Sequence, residues 1–114
     1  MELKVNLRRE DDVAVIAFDG EVDVYTAPVL RDAISKVLAA GNHDMVVDMT
    51  GVSFLDSTGL GVLVGRLKAV RMLEGRMRVV ITNPRVLRNF QITGLEKIFT
   101  IDSSVADAVA ALKA

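Results

Sequence analysis

The sequence predicts an α/β domain with a mixed, mostly parallel sheet of about five strands, about four helices, and an opening β-hairpin at one edge. Three observations predict it. Strand-type and helix-type segments alternate along the chain in the order β-β-α-β-α-β-α-β-α. The first two strand segments are joined only by the polar turn Arg9-Glu10-Asp11-Asp12, which makes them a hairpin. The later strands are each separated by a helix, so they pair in parallel through right-handed crossovers.

Each element has its own signal. Leu3, Val5 and Leu7 alternate with polar residues, and Val13 to Phe18 is a denser β-branched run. From Pro28 the period becomes helical, with Leu30, Ala33, Ile34, Val37 and Leu38 on one face. Thr26 is placed to cap this helix and Gly41 to end it. Met45-Val46-Val47, followed by Asp48, has the unbroken apolar character of a short strand covered on both faces. A second helix, capped by Ser57 or a near neighbour, buries Leu60, Leu63, Val64, Leu67 and Val70 and stops before Gly75. Met77 to Thr82 reads as the next strand. Asn83-Pro84 starts a short helix carrying Val86, Leu87 and Phe90, which Gly94 closes. Ile98 to Ile101 reads as the last strand, and Asp102-Ser103-Ser104 opens a helix that turns Val105, Ala108, Val109 and Leu112 inward.

Composition narrows the function classes. A chain of 114 residues, 51% hydrophobic, fills one core, and no linker or repeat divides it, so residues 1–114 read as one domain. The formal net charge of -1 gives no general attraction for nucleic acid or an acidic membrane. The absence of cysteine removes disulfides, thiolate chemistry and sulfur-held metals, and fits a cytoplasmic protein. The N-terminus has no continuous apolar h-region, and Leu60 to Leu73 is interrupted by Arg66, Lys68 and Arg71, so neither signal peptide nor membrane span is expected.

The loop Val52-Ser53-Phe54-Leu55-Asp56-Ser57-Thr58-Gly59-Leu60-Gly61 joins a central strand to a helix, where open α/β sheets place their sites. Ser57 and Thr58 are hydroxyls at a helix N-terminus, whose free N–H groups and dipole favour an added negative charge. A phosphate there would be held by the helix and repelled by adjacent Asp56, two opposing terms that suit a switch. Gly59 and Gly61 leave the helix start bare for close approach. The plain alternative stands beside this: a hydroxyl and an aspartate before a helix also serve as ordinary caps, and glycines as packing. Glu21-Val22-Asp23-Val24-Tyr25-Thr26 is equally open, being at least a polar connection into the first helix.

Gly20-Glu21-Val22-Asp23 with Thr26-Ala27, then Val47-Asp48, then Phe54-Leu55-Asp56-Ser57-Thr58-Gly59-Leu60-Gly61 with Gly65-Arg66 and Lys68, closely resembles the bacterial anti-sigma factor antagonists of the STAS domain family. The resemblance spans nearly the whole chain and implies a STAS-like fold. It implies that Ser57, directly after the motif aspartate, is phosphorylated by the anti-sigma factor itself, a serine kinase with a GHKL-type ATP site. It implies a PP2C-type phosphatase that reverses this. The unphosphorylated form would bind the kinase and free the sigma factor. Asp23, Tyr25, Thr26, Asp56, Ser57, Thr58, Gly59, Leu60 and Gly61 would form the partner surface of a non-enzymatic protein, a monomer or weak dimer without cofactor or metal. Thr58 stands where many members have a second serine.

Other readings are weaker. Gly59-x-Gly61-x-x-x-Gly65 partly matches the glycine-rich turn of dinucleotide-binding folds, but several residues separate it from its strand and Glu74 is the only nearby acid. Asp48 at a strand end suggests a phosphoaspartate receiver, yet the first strand lacks the acidic pair for magnesium. Hydrolysis would want a base, and His43 reads as a solvated turn residue. Arg66, Lys68, Arg71, Arg76, Arg78, Arg85 and Arg88 face only Glu74 and read mostly as a solvated surface, with Arg66 and Lys68 close enough to the second helix's start to touch a partner. The remaining alternative is a STAS scaffold or small-ligand-sensing subunit of a larger signalling complex.

Overall fold

The computed structural model describes residues 2–114. The hairpin consists of β1 (Leu3–Glu10) and β2 (Val13–Val22), paired antiparallel from Leu3↔Gly20 to Glu10↔Val13. Asp11 and Asp12 both take positive φ, 51° and 68°, the conformation a two-residue turn needs to match strand twist. Then follow α1 (Ala27–Ala39), β3 (Asp44–Leu55), α2 (Ser57–Met72), β4 (Arg76–Val80), α3 (Pro84–Ile92), β5 (Thr100–Asp102) and α4 (Val105–Lys113). Strand order in the sheet is β1-β2-β3-β4-β5, parallel from β2 onward, as the sequence predicts.

Sequential strand order with crossovers of one hand places the connecting helices on one face. Leu30, Ile34 and Val37 of α1, Leu63, Leu67 and Val70 of α2, and Val86 and Phe90 of α3 join Ile16, Phe18, Met45, Val47 and Val79 in one buried layer. The Phe90 ring meets Phe99 edge-on at 5.4 Å. Helix α4 covers the opposite face with a smaller layer, in which Ala108, Val109 and Leu112 pack on Val13, Val15, Val46 and Val80. Alternation along β3 serves both layers, since Met45 and Val47 turn one way and Val46 the other.

The largest departure from expectation is β3. The sequence reading stops it at Val47, whereas it continues to Leu55. Two register shifts against β2, between Ala17 and Asp19 and between Gly20 and Glu21, each insert one extra residue into β3. The first is held by Asp48, whose Oδ1 accepts the Thr50 N–H at 3.1 Å. These insertions turn Val52 and Leu55 back to the three-helix layer, so β3 loses the simple alternation that would have marked it. Asp48 is thus a mid-strand residue, 8% exposed, and not the strand-end acceptor of a receiver domain. Likewise β2 runs on through Gly20-Glu21-Val22, β4 ends at Val80 instead of Thr82, and β5 occupies Thr100–Asp102 because Leu95–Lys97 forms a 3₁₀ turn first.

Among the described residues no helix is long and apolar enough to cross a membrane.

Candidate functional site

Parallel pairing of β2 with β3 ends at Val22↔Leu55, so the next residues, Asp23 and Asp56, leave the same edge of the sheet side by side. The Asp56 N–H donates to the Val22 carbonyl at 3.1 Å, extending that register one step. Two loops singled out in the sequence, far apart in the chain, therefore converge through strand pairing alone.

Asp56 is the N-cap of α2. Its extended backbone (φ −94°, ψ −176°) turns the carboxylate back to accept the Gly59 N–H at 3.1 Å. The near neighbour and not Ser57 is thus the cap, which leaves the Ser57 hydroxyl uncommitted at the first helical position. Ser57 and Thr58 are both exposed. A phosphate on Ser57 would meet the positive end of α2 and, next to it, the Asp56 carboxylate.

Gly59 is buried, and its bareness serves the interior. A Cβ built there would lie 2.4 Å from Leu55 Cδ1 and 2.6 Å from Val22 Cγ1, both on buried side chains at the tips of β3 and β2. A Cβ on Gly61 meets nothing within 4 Å, so its face is open. Leu60, 6% exposed, and Thr26, 7% exposed, also point inward. Of the predicted partner surface, Tyr25, Ser57, Thr58 and Gly61 are exposed, Asp23 and Asp56 half-buried, and Thr26, Gly59 and Leu60 buried.

The β2–α1 loop is organised by Asp23. Its Oδ1 accepts the N–H groups of Tyr25 and Thr26, each at 2.9 Å. The Thr26 N–H, followed by that of Tyr25 and the Thr26 hydroxyl, holds the Asp23 carboxyl below its ordinary pKa despite opposing desolvation. Thr26 sits at the N-cap of α1 but makes no side-chain cap bond. Its hydroxyl donates to the Glu21 carbonyl at 2.7 Å and accepts the Asp23 N–H at 2.9 Å, locking the loop instead. The result presents Val24 and Tyr25 outward, 59% and 86% exposed; Phe54, also half-exposed, pairs with Glu21 in the strand register.

Sequence reasoning missed Val24 and Phe54 as exposed apolar groups and missed Asn89 altogether. The Asn89 Nδ2 on α3 donates to the Leu55 carbonyl at 2.7 Å. No local pattern marks that contact, which joins residues distant in the chain.

Four of the seven residues of the basic run are held by hydrogen bonds or ion pairs. Arg66 is bound to Ser35 at 3.0 Å, Arg71 to the Ile98 carbonyl, Arg76 to Asp44 and Arg78 to Asp102. Of the two basic residues expected near a partner, Arg66 ties α2 to α1, and Lys68 is exposed. His43 is exposed in the α1–β3 turn, and no group of three or more His, Asp or Glu side chains among the described residues is arranged to hold a metal ion.

Comparison with known proteins agrees with this architecture. The family model for the STAS domain matches residues 4–108. An anti-sigma-B factor antagonist of Staphylococcus epidermidis is 35% identical over 102 residues, 90% of this chain and 94% of that one. The Staphylococcus aureus protein of the same name is 33% identical over the same length. An anti-sigma factor antagonist from Mycobacterium paratuberculosis superposes with a TM-score of 0.92 at 32% identity, covering 99% of this chain and 96% of that one. The antagonist SpoIIAA in its unphosphorylated form shares the fold at a TM-score of 0.73 and 22% identity, over 96% of this chain and 98% of its own. Sheet order, opening hairpin, helix placement and sequence all lead to one assignment: the chain belongs to the STAS domain family and resembles, within it, the bacterial anti-sigma factor antagonists.

Proposed function

We propose that the protein is an anti-sigma factor antagonist. Its unphosphorylated form binds an anti-sigma factor serine kinase of the GHKL type and thereby releases a sigma factor; phosphorylation of Ser57 by that kinase ends the binding, and a PP2C-type phosphatase restores it. It acts in the cytoplasm as a binding module and not as an enzyme.

One observation carries the reading. The Ser57 hydroxyl is exposed at the first position of α2, beside an aspartate that already caps the helix. The helix does not need this hydroxyl, so it is free for chemistry. Tyr25, Thr58, Gly61 and the exposed side of α2 provide the surrounding contact surface, with the half-buried Asp23 and Asp56 between them. A dianion placed in such a contact would be desolvated without a matching cation, and each 1.4 kcal/mol or so of penalty weakens binding tenfold. A few kcal/mol thus suffices for a switch, while the fold is kept because helix N–H groups receive the phosphate oxygens.

The test is a binding titration with the cognate kinase, together with phosphopeptide mapping. Ser57→Ala is expected to keep affinity and take no phosphate, and Ser57→Asp to bind at least about tenfold more weakly. Label found at another residue, or equal affinity of the phosphorylated and unphosphorylated forms, overturns the reading.

A further inference from the structure

The peptide unit that leads into the candidate acceptor turn is gripped at both ends. Its N–H, on Asp56, donates to the Val22 carbonyl of β2 at 3.1 Å. Its carbonyl, on Leu55, accepts from the Asn89 carboxamide of α3 at 2.7 Å, the short end of the range for such bonds. A hydrogen bond at each end fixes the rotation of a peptide plane about the chain direction, which neither bond does alone.

The need for Asn89 follows from the sheet. Pairing of β3 with β4 ends at Asp48↔Val80, yet β3 continues to Leu55, so from residue 49 onward it has a strand neighbour only on the β2 side. Leu55 is buried, and a buried carbonyl on the unpaired side needs a donor. Helix α3 occupies that side with the half-buried Asn89. Its neighbour Phe90, fully buried in the three-helix layer, anchors the helix there.

We propose that Asn89 is a positioning residue for Ser57: by holding the Leu55 carbonyl it fixes the plane from which α2 starts and so sets the direction of the acceptor hydroxyl. This rests on the reading of Ser57 as phosphoacceptor. Asn89 touches neither the hydroxyl nor the phosphoryl donor and acts through two residues of backbone. Without it the Leu55–Asp56 plane is held only by Val22 and swings, and the serine spends less time in line for transfer.

The experiment is steady-state phosphorylation by the cognate kinase, comparing wild type with Asn89→Leu, which keeps size and loses the donor, and Asn89→Gln, which keeps a donor on a longer arm. Native-state amide exchange at Asp56 is followed in parallel. Asn89→Leu is expected to lower kcat about tenfold or more with KM nearly unchanged and to speed exchange at Asp56, while Asn89→Gln recovers part of both. Should Asn89→Leu not fold, Asn89→Asp, ionised at neutral pH and therefore no donor, takes its place. A phosphorylated wild type with an equally fast Asn89→Leu, or a loss confined to KM, overturns the inference and leaves the acceptor assignment standing. A wild type that takes no phosphate at Ser57 overturns both.

Discussion

The Asp56 carboxylate accepts the Gly59 N–H at 3.1 Å, one residue away from the hydroxyl of Ser57. The side chain that starts α2 is therefore also a negative charge on the residue adjacent to any phosphate added there. Removing the acceptor and removing only the charge have separable effects. Asp56→Ala is expected to lose about 1 kcal/mol of stability, the usual worth of a cap, whereas Asp56→Asn retains most of it. Urea unfolding of the two variants checks this, and equal losses would show that charge and not capping is what Asp56 contributes.

The two glycines of the turn should behave in opposite ways. Gly59→Ala forces a methyl against Leu55 and Val22 and is expected to destabilise by about 1–3 kcal/mol, as overpacking does. Gly61→Ala enters open space in a helix and is expected to gain about 0.5–1 kcal/mol. Thermal unfolding reads both. If Gly61→Ala also weakens kinase binding severalfold, the partner's backbone comes within contact distance of this face.

Asp23 has a structural duty as well as its place in the proposed contact surface. Asp23→Asn keeps an oxygen for the Tyr25 and Thr26 N–H groups, while Asp23→Ala frees the loop that displays Tyr25. Asp23→Ala is expected to lower the thermal unfolding midpoint, and Asp23→Asn to lower it clearly less. Both are expected to bind the kinase more weakly than wild type. Full affinity in Asp23→Asn, measured by calorimetric titration, would assign Asp23 to loop geometry alone.

Acid stability has a source away from the site. Arg76, bonded to Asp44 at 2.8 Å, holds the Asp44 carboxyl below its ordinary value of 3.8. A carboxyl whose pKa is depressed by folding stabilises the native state above its unfolded pKa and loses that stabilisation as pH falls through the folded value. Asp44→Asn is therefore expected to flatten the stability profile below about pH 4, by well under 1 kcal/mol because both side chains are substantially exposed. An unchanged acid limb in denaturant titrations from pH 2 to 6 would remove the pair from the account.

Much of this molecule was legible before folding. The hairpin, the order of helices, the cap at Asn83 and the helix start at Asp102-Ser103-Ser104 follow from local pattern; Asn83 accepts an N–H of its own helix, and within the second group it is Ser104 that does so. The second half of β3 was not legible. Asp48 and Gly51 disfavour strands taken singly, and the extended conformation of this stretch is sustained by pairing to β2 through inserted residues that no window of sequence reveals. The convergence of Asp23 and Asp56 depends on that same register. Asn89 carries no local signal, because its partner is a backbone carbonyl supplied by a distant strand.

The separation of the two apolar layers divides the molecule mechanically. Helix α4 rests on its own small patch, while the Ser57 turn is braced by α3 and the large layer across the sheet. A load applied to α4 accordingly acts on a buried patch that shares no side chain with the layer bracing the acceptor turn. The exposed side of α4 is the natural place for a label.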